Sequence, residues 1–181
     1  MFNKKKFITN FNYKYLHQNA AKLIIILAFF SAALALLSAY IAEFVFGFAP
    51  CILCYYQRKP FFIIMIIGLI FLGLEKKLKK YSNLVIYLIF LSIISNICLA
   101  FYHSGVEMKI FAGPTTCDVG TSLNIDDLEQ LKKALLKTKA VKCDEPQFYL
   151  LNLTMANWNL IYNMALLTLL MLIKIRRFER K

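Results

Sequence analysis

The sequence predicts an all-α membrane protein: a four-transmembrane-helix bundle with one short and one long loop on its outer side. Three observations carry that prediction. Four long apolar runs recur along the 181 residues. Hydrophobic residues make up 60% of the chain, against the ~45–50% apolar content of soluble domains. The basic residues gather at the borders of the apolar runs, as they do in membrane proteins.

Residues 23–42 carry no charge and supply the ~20 residues that a helix needs to cross a hydrocarbon core. A basic leader precedes this run, but its apolar length exceeds the ~7–15 residues of a signal-peptide core, so it reads as a first span and not as a cleaved leader. The second run, 61–74, covers only ~21 Å as a helix and falls short of a ~30 Å core. Extending it back gives a span of 54–74 and draws Tyr55, Tyr56, Gln57 and Arg58 into the interfacial end. Pro60 suits that extension because it stays near the helix start. The third span is 82–102, entered through Tyr81, Ser82 and Asn83, and the fourth is 148–173, with Trp158 inside it.

Four spans return both termini to one side. The formal charge of +12 does not point to nucleic acid, because the basic residues are not gathered on one folded face. Fourteen of the 22 Lys and Arg lie within 4–22, 76–80 and 174–181. The four-span topology puts all three groups on one face, which the positive-inside rule makes cytoplasmic. The opposite face receives loops 43–53 and 103–147. The longer loop holds six Lys and seven acidic residues, the near-neutral balance of a translocated segment. Within it, "NIDDLEQLKKALLK" opens on Asn124 as an N-cap and spaces Leu128, Leu131 and Leu135 as one helical face, predicting an amphipathic helix.

Cys51, Cys54, Cys117 and Cys143 all fall on this outer face, and Cys98 alone falls within a span. Outside a bacterial-type cytoplasmic membrane, thiols meet an oxidising environment in which disulfides persist. A structural staple is the default reading for Cys117 and Cys143, which enclose 25 residues. It suits "PCILCYYQRKP" badly, because a Cys-x-x-Cys bridge closes almost no loop and removes little entropy from the unfolded chain. Zinc wants four converging ligands, and neither a second Cys-x-x-Cys nor a His pair is present, so no metal is assigned. Haem attachment wants His where Tyr55 stands.

Redox chemistry suits the neighbours of the pair. A helix beginning near Cys54 places that thiol where unpaired amide N–H groups favour the thiolate, and Arg58, four residues on, shares its face. As a permanent cation at the membrane interface, Arg58 suits either a polar cofactor or lipid headgroups.

The chain resembles the disulfide-bond formation protein B (DsbB) family of inner-membrane thiol oxidases. The resemblance covers nearly its whole length, through "CILCYYQR", "FYHSGVE", "GPTTCD" and "CDEPQFYLLNLTMANWN" in order. It implies two redox-active disulfides, Cys51–Cys54 and Cys117–Cys143. It also implies that a periplasmic DsbA-like thioredoxin-fold oxidase attacks Cys117, that Cys143 is released, and that two electrons pass to the near pair and on to quinone, either ubiquinone or menaquinone. Arg58 would position the quinone ring, with His103 beside it. The resemblance thus implies a quinone-dependent protein-dithiol oxidoreductase of the bacterial inner membrane, with both termini cytoplasmic and the cysteine loops periplasmic, supporting disulfide formation in exported proteins.

Two other readings stand beside this one: an oxidase dedicated to one specialised thioredoxin-like partner, and a non-catalytic metal-binding membrane protein. Gln57 stands where some members carry Glu, a departure that bears on any acid–base role there and leaves Arg58 intact. Cys98 matches no redox position and reads as a small buried hydrophobe. Trp158 and the tyrosines read as interfacial or packing residues.

Overall fold

The computed structural model describes residues 4–114, 143, 144, 146 and 148–179. Cys117 and the amphipathic helix expected at 124–137 lie outside the described residues. Helices α1 (Lys4–Phe44), α2 (Ile52–Gly73), α4 (Ser82–Glu107) and α5 (Met155–Glu179) dominate, and a short α3 (Glu75–Leu78) with a 3₁₀ turn (Lys79–Tyr81) joins α2 to α4. Among the described residues, four stretches are long and apolar enough to cross a membrane: Ala21–Phe44, Ile52–Gly73, Ser82–Glu107 and Met155–Arg176. They form a four-helix membrane bundle.

Around the bundle, α1 packs on α2, α2 on α4, α4 on α5 and α5 back on α1. Ile24, Ile25, Ile64, Ile89 and Leu170 meet in its centre. Small residues let the helices close up: Ala28 and Ala32 are fully buried, and a Cβ on Gly68 would stand 3.0 Å from the ring of Phe29. Phe30, Leu69 and Leu91 stay exposed on the outer faces. A lipid surround accounts for such side chains better than water does.

The two ends of the bundle differ in chemistry. At one end Lys22 pairs with Glu75 at 2.6 Å, tying α1 to the turn after α2, and the Lys174 ammonium sits 4.0 Å from the centre of the Tyr87 ring. The other end gathers the C-terminal ends of α1 and α4 with the N-terminal ends of α2 and α5.

The fourth helix begins at Met155, later than position 148. Before it lies a two-stranded hairpin, β1 (Tyr149–Leu150) and β2 (Leu153–Thr154), with Tyr149 opposite Thr154. Leu151 and Asn152 turn it with φ of 53° and 61°, the left-handed pair that matches strand twist. Thr154 then caps α5, its Oγ1 accepting the backbone N–H of Asn157 at 3.3 Å. The second helix begins at Ile52, two residues before position 54, because the Cys51 sulfur serves as its cap.

Helix α4 runs past position 102 to Glu107 and stops where Lys109 takes φ of 60°. The chain folds back there, Ile110 N–H and Phe111 N–H donating to Gly105 C=O at 2.9 and 3.2 Å. The Phe111 ring lies over Gly105, where an added Cβ would fall 2.1 Å from a ring carbon. Gly105→Ala is therefore expected to expel that ring and cost about 1–3 kcal/mol, read as a lower unfolding midpoint in detergent. Gly73→Ala, which meets nothing within 4 Å, is the matched control and should leave the midpoint in place.

Candidate functional site

The site is built first from a helix start. Cys51 holds extended backbone (φ −76°, ψ 171°), and its Sγ accepts the Cys54 backbone N–H at 3.3 Å. Capping with sulfur brings the two side chains of the Cys-x-x-Cys together within the first turn. The Cys51 thiol donates to the Cys54 sulfur at 3.0 Å. That hydrogen bond, and then burial, push the Cys51 thiol up to about 12 against the lowering effect of His103. At neutral pH Cys51 keeps its proton.

The end of α4 supplies the second layer. His103 Nε2 lies 3.4 Å from the Cys51 sulfur and 3.7 Å from the Glu107 carboxylate one turn on. Thr154 Oγ1 donates to the other oxygen of Glu107, linking α4 to the hairpin. The His103 ring is oriented from behind by amides. Asn163 Nδ2 donates to Asn159 Oδ1 at 2.8 Å, Asn159 Nδ2 donates to Gln57 Oε1 at 3.1 Å, and Gln57 Nε2 stands 3.2 Å from His103 Nδ1. With Gln57 donating, the proton of a neutral His103 belongs on Nε2, facing the cysteine. Polar side chains inside a membrane bundle are costly, and here they are spent on one ring.

Arg58 lies one turn into the membrane from Cys54. It is only 9% exposed, pairs with Glu43 at the end of α1, and sits between the rings of Tyr40 and Tyr55 at 4.9 and 5.2 Å. The headgroup-seeking alternative for Arg58 is not what this geometry favours: its partners are inside the protein.

Cys51, Cys54, Gln57, Arg58 and His103 all line one cavity of about 530 Å³, whose remaining wall is largely apolar, with Leu34, Ala39 and Phe61 among its residues. Cys143 is buried and also lines it, packed in one cluster with Cys51, Leu53 and Val106. Trp158 lines the cavity and ties its indole N–H to Leu150 C=O at 3.1 Å. Cys98 is exposed on the outer surface of α4 and not buried, because the spacing of the α4 core positions, Ile93, Asn96 and Ala100, leaves it on the lipid side.

Glu43, Glu107 and Asn159 belong to this site and were not singled out from sequence. Two of them left a signal: Glu43 is the first acid in the chain and ends an uncharged span, and "NWNLIYN" sets Asn159 and Asn163 four residues apart inside an apolar helix.

Four apolar helices that close around a paired-cysteine cavity define a multi-pass membrane protein of the thiol–disulfide class. Comparison with known proteins narrows this. The family described as disulfide bond formation protein DsbB matches residues 21–173, and the chain belongs to that family. An uncharacterized protein of Rickettsia prowazekii (strain Madrid E) is 31% identical over 170 residues, covering 92% of this chain and 95% of its own length. Disulfide bond formation protein B of Blochmanniella floridana is 33% identical over 128 residues, covering 68% and 71%. The SPbeta prophage-derived disulfide bond formation protein B of Bacillus subtilis (strain 168) is 34% identical over 104 residues, covering 56% and 64%.

Proposed function

We propose that this protein reoxidises a periplasmic DsbA-like thioredoxin-fold oxidase and passes the electrons to quinone, supporting disulfide formation in exported proteins. One observation carries the reading: the Cys-x-x-Cys and a buried arginine open into the same cavity between membrane helices. Its volume falls within the ~300–1,000 Å³ of small-molecule sites. Hydrogen-bond donors at one end and apolar walls elsewhere suit a ring with polar oxygens and a greasy tail. A bound quinone, ubiquinone or menaquinone, supplies a two-electron acceptor that dissolves in the bilayer. Arg58 and His103 are the residues that would hold it.

The chain's own sulfurs do the exchange. The partner's thiolate attacks Cys117 of a Cys117–Cys143 disulfide, giving a mixed disulfide and releasing Cys143 as a thiol. Resolution sends the partner away as a disulfide and leaves Cys117 and Cys143 reduced. The same exchange against Cys51–Cys54 restores the far disulfide and moves two electrons and two protons to the near pair. The burial of Cys143 against Cys51 and Leu53 supports this order. In the resulting dithiol, Cys51 holds its proton and donates to the Cys54 sulfur, so Cys54 is the sulfur prepared to react on the cavity side. The basic clusters at the opposite end of the chain's spans support a bacterial inner-membrane location, with cytoplasmic termini and periplasmic cysteine loops.

The purified protein, given a reduced DsbA-like partner and quinone, should form one quinol for each partner disulfide. Thiol oxidation that proceeds equally without quinone, or no oxidation with both present, overturns the proposal.

A further inference from the structure

The same fold that serves the cysteine pair also gathers ligands for a metal. Cys51 Sγ, Cys54 Sγ and a His103 ring nitrogen all lie within 4.8 Å of one another, with Cys51 and His103 buried. The sequence offers no such cluster, since His103 stands far along the chain, and only the crossing of α2 and α4 delivers it. We propose that the dithiol form of this site binds a zinc-class divalent cation through Cys51, Cys54 and His103, and that the bound cation holds the pair reduced.

The geometry is close to what such a site needs. Tetrahedral zinc, at ~2.3 Å from sulfur and ~2.0 Å from nitrogen, sets its ligands about 3.5–3.8 Å apart. The Cys51 sulfur and His103 Nε2 are already 3.4 Å apart, and the two sulfurs, at 3.0 Å, need to part by less than an ångström. The fourth position falls to water: Glu107, whose carboxylate oxygen lies 3.7 Å from His103 Nε2, stands outside the set within 4.8 Å. An outer shell is present too. Gln57 Nε2 faces His103 Nδ1, and turning this amide to accept the proton that moves there when Nε2 binds metal gives up the bond from Asn159. The cavity gives an ion a way in.

Binding releases two thiol protons and changes no oxidation state. A disulfide offers no thiolate, so only the reduced pair takes the ion. By linkage, an ion that binds one redox form alone stabilises it, so zinc would act as a brake at the electron-exit pair. Binding itself needs only the reduced thiols. The braking rests on the electron route proposed above, so a spectroscopic readout separates the two.

The test uses the full chain in detergent, reduced, freed of reductant and titrated anaerobically with Co²⁺, then with Zn²⁺. Expected are tetrahedral cobalt bands with thiolate-to-metal charge transfer, saturating at one equivalent and bleached by zinc. They should persist in a Cys117→Ser/Cys143→Ser protein and vanish in Cys51→Ser. His103→Ala should weaken cobalt binding about tenfold or more. The oxidised wild-type chain, which needs no substitution, should give no bands. Absence of tetrahedral bands in the reduced protein overturns the proposal, as do bands that survive Cys51→Ser or an affinity unchanged in His103→Ala. If cobalt binds as expected while zinc leaves quinone-linked turnover untouched, the site stands and the brake falls.

Discussion

In a Cys54→Ser protein, steady-state electron transfer from a dithiol partner to quinone is expected to fall by about a thousandfold or more, because a covalent participant is removed and not merely weakened. The more telling result is what survives. With the far disulfide Cys117–Cys143 still formed, one partner dithiol per protein should be oxidised in a single burst, after which the reaction stops. Cys51→Ser should behave alike, since either substitution leaves the near pair unable to close. Cys117→Ser should show no burst, because the entry sulfur is gone. Thiol counting against time, with quinol followed in parallel, distinguishes these cases. Serine keeps the size of cysteine, and a hydroxyl at position 51 can still accept the Cys54 backbone N–H that the sulfur accepts at 3.3 Å. The helix start should therefore persist, and lost turnover would report chemistry and not unfolding. Sustained turnover in Cys54→Ser would remove the near pair from the electron route altogether.

How much of this was legible beforehand follows from the distance over which each feature is encoded. The spans are written in composition, so four apolar runs and their basic borders suffice for the bundle. The Cys-x-x-Cys is equally local: a spacing of three at a helix start brings two sulfurs together whatever the rest of the fold does. Even Arg58 could be placed relative to Cys54 by helical period alone. His103 could be put at the correct end of the bundle, but not 3.4 Å from a particular sulfur, because that distance depends on how α4 crosses α2.

Other features had no local code. Glu43 read as the first residue of a loop, yet it closes the last turn of α1 and faces inward onto Arg58. Asn159 and Gln57 meet across 102 residues of sequence, and nothing in either segment names the other. The hairpin before α5 was hidden for a different reason. Its turn residues, Leu151 and Asn152, adopt left-handed backbone without a glycine, and their apolar neighbours extend the hydrophobic run of the helix that follows. Leu151 is 79% exposed, so tertiary packing does not explain its backbone; the hairpin pairing does.

The Glu43–Arg58 pair sets up a prediction in which two roles for one arginine have opposite signatures. The side chains are 17% and 10% exposed and their atoms 2.5 Å apart, so both charges are largely withdrawn from water. Breaking such a pair from one side leaves a buried charge uncompensated and costs about 3–5 kcal/mol. Glu43→Gln and Arg58→Gln should each lower stability on that scale. The double variant, with two neutral amides, should be more stable than the sum of the two losses implies, by about 1 kcal/mol or more. Unfolding of the four proteins in one detergent measures that coupling, and simple additivity would mean the contact contributes little.

Turnover should separate the pair differently. If Arg58 also contacts the quinone, Arg58→Gln loses a charged hydrogen bond of roughly 1.5–3 kcal/mol and raises the apparent KM for quinone about ten- to a hundredfold. Partner-thiol oxidation in the first burst should be unchanged. Arg58→Lys should fail to restore the KM, because an ammonium lacks the planar fork that can lie between Tyr40 and Tyr55 while reaching Glu43 and a ligand together. Glu43→Gln keeps the arginine charge, so its quinone KM should move far less than its stability. A KM shift of equal size in both variants would instead make Arg58 a structural cation, held for Glu43 and indifferent to what enters the cavity.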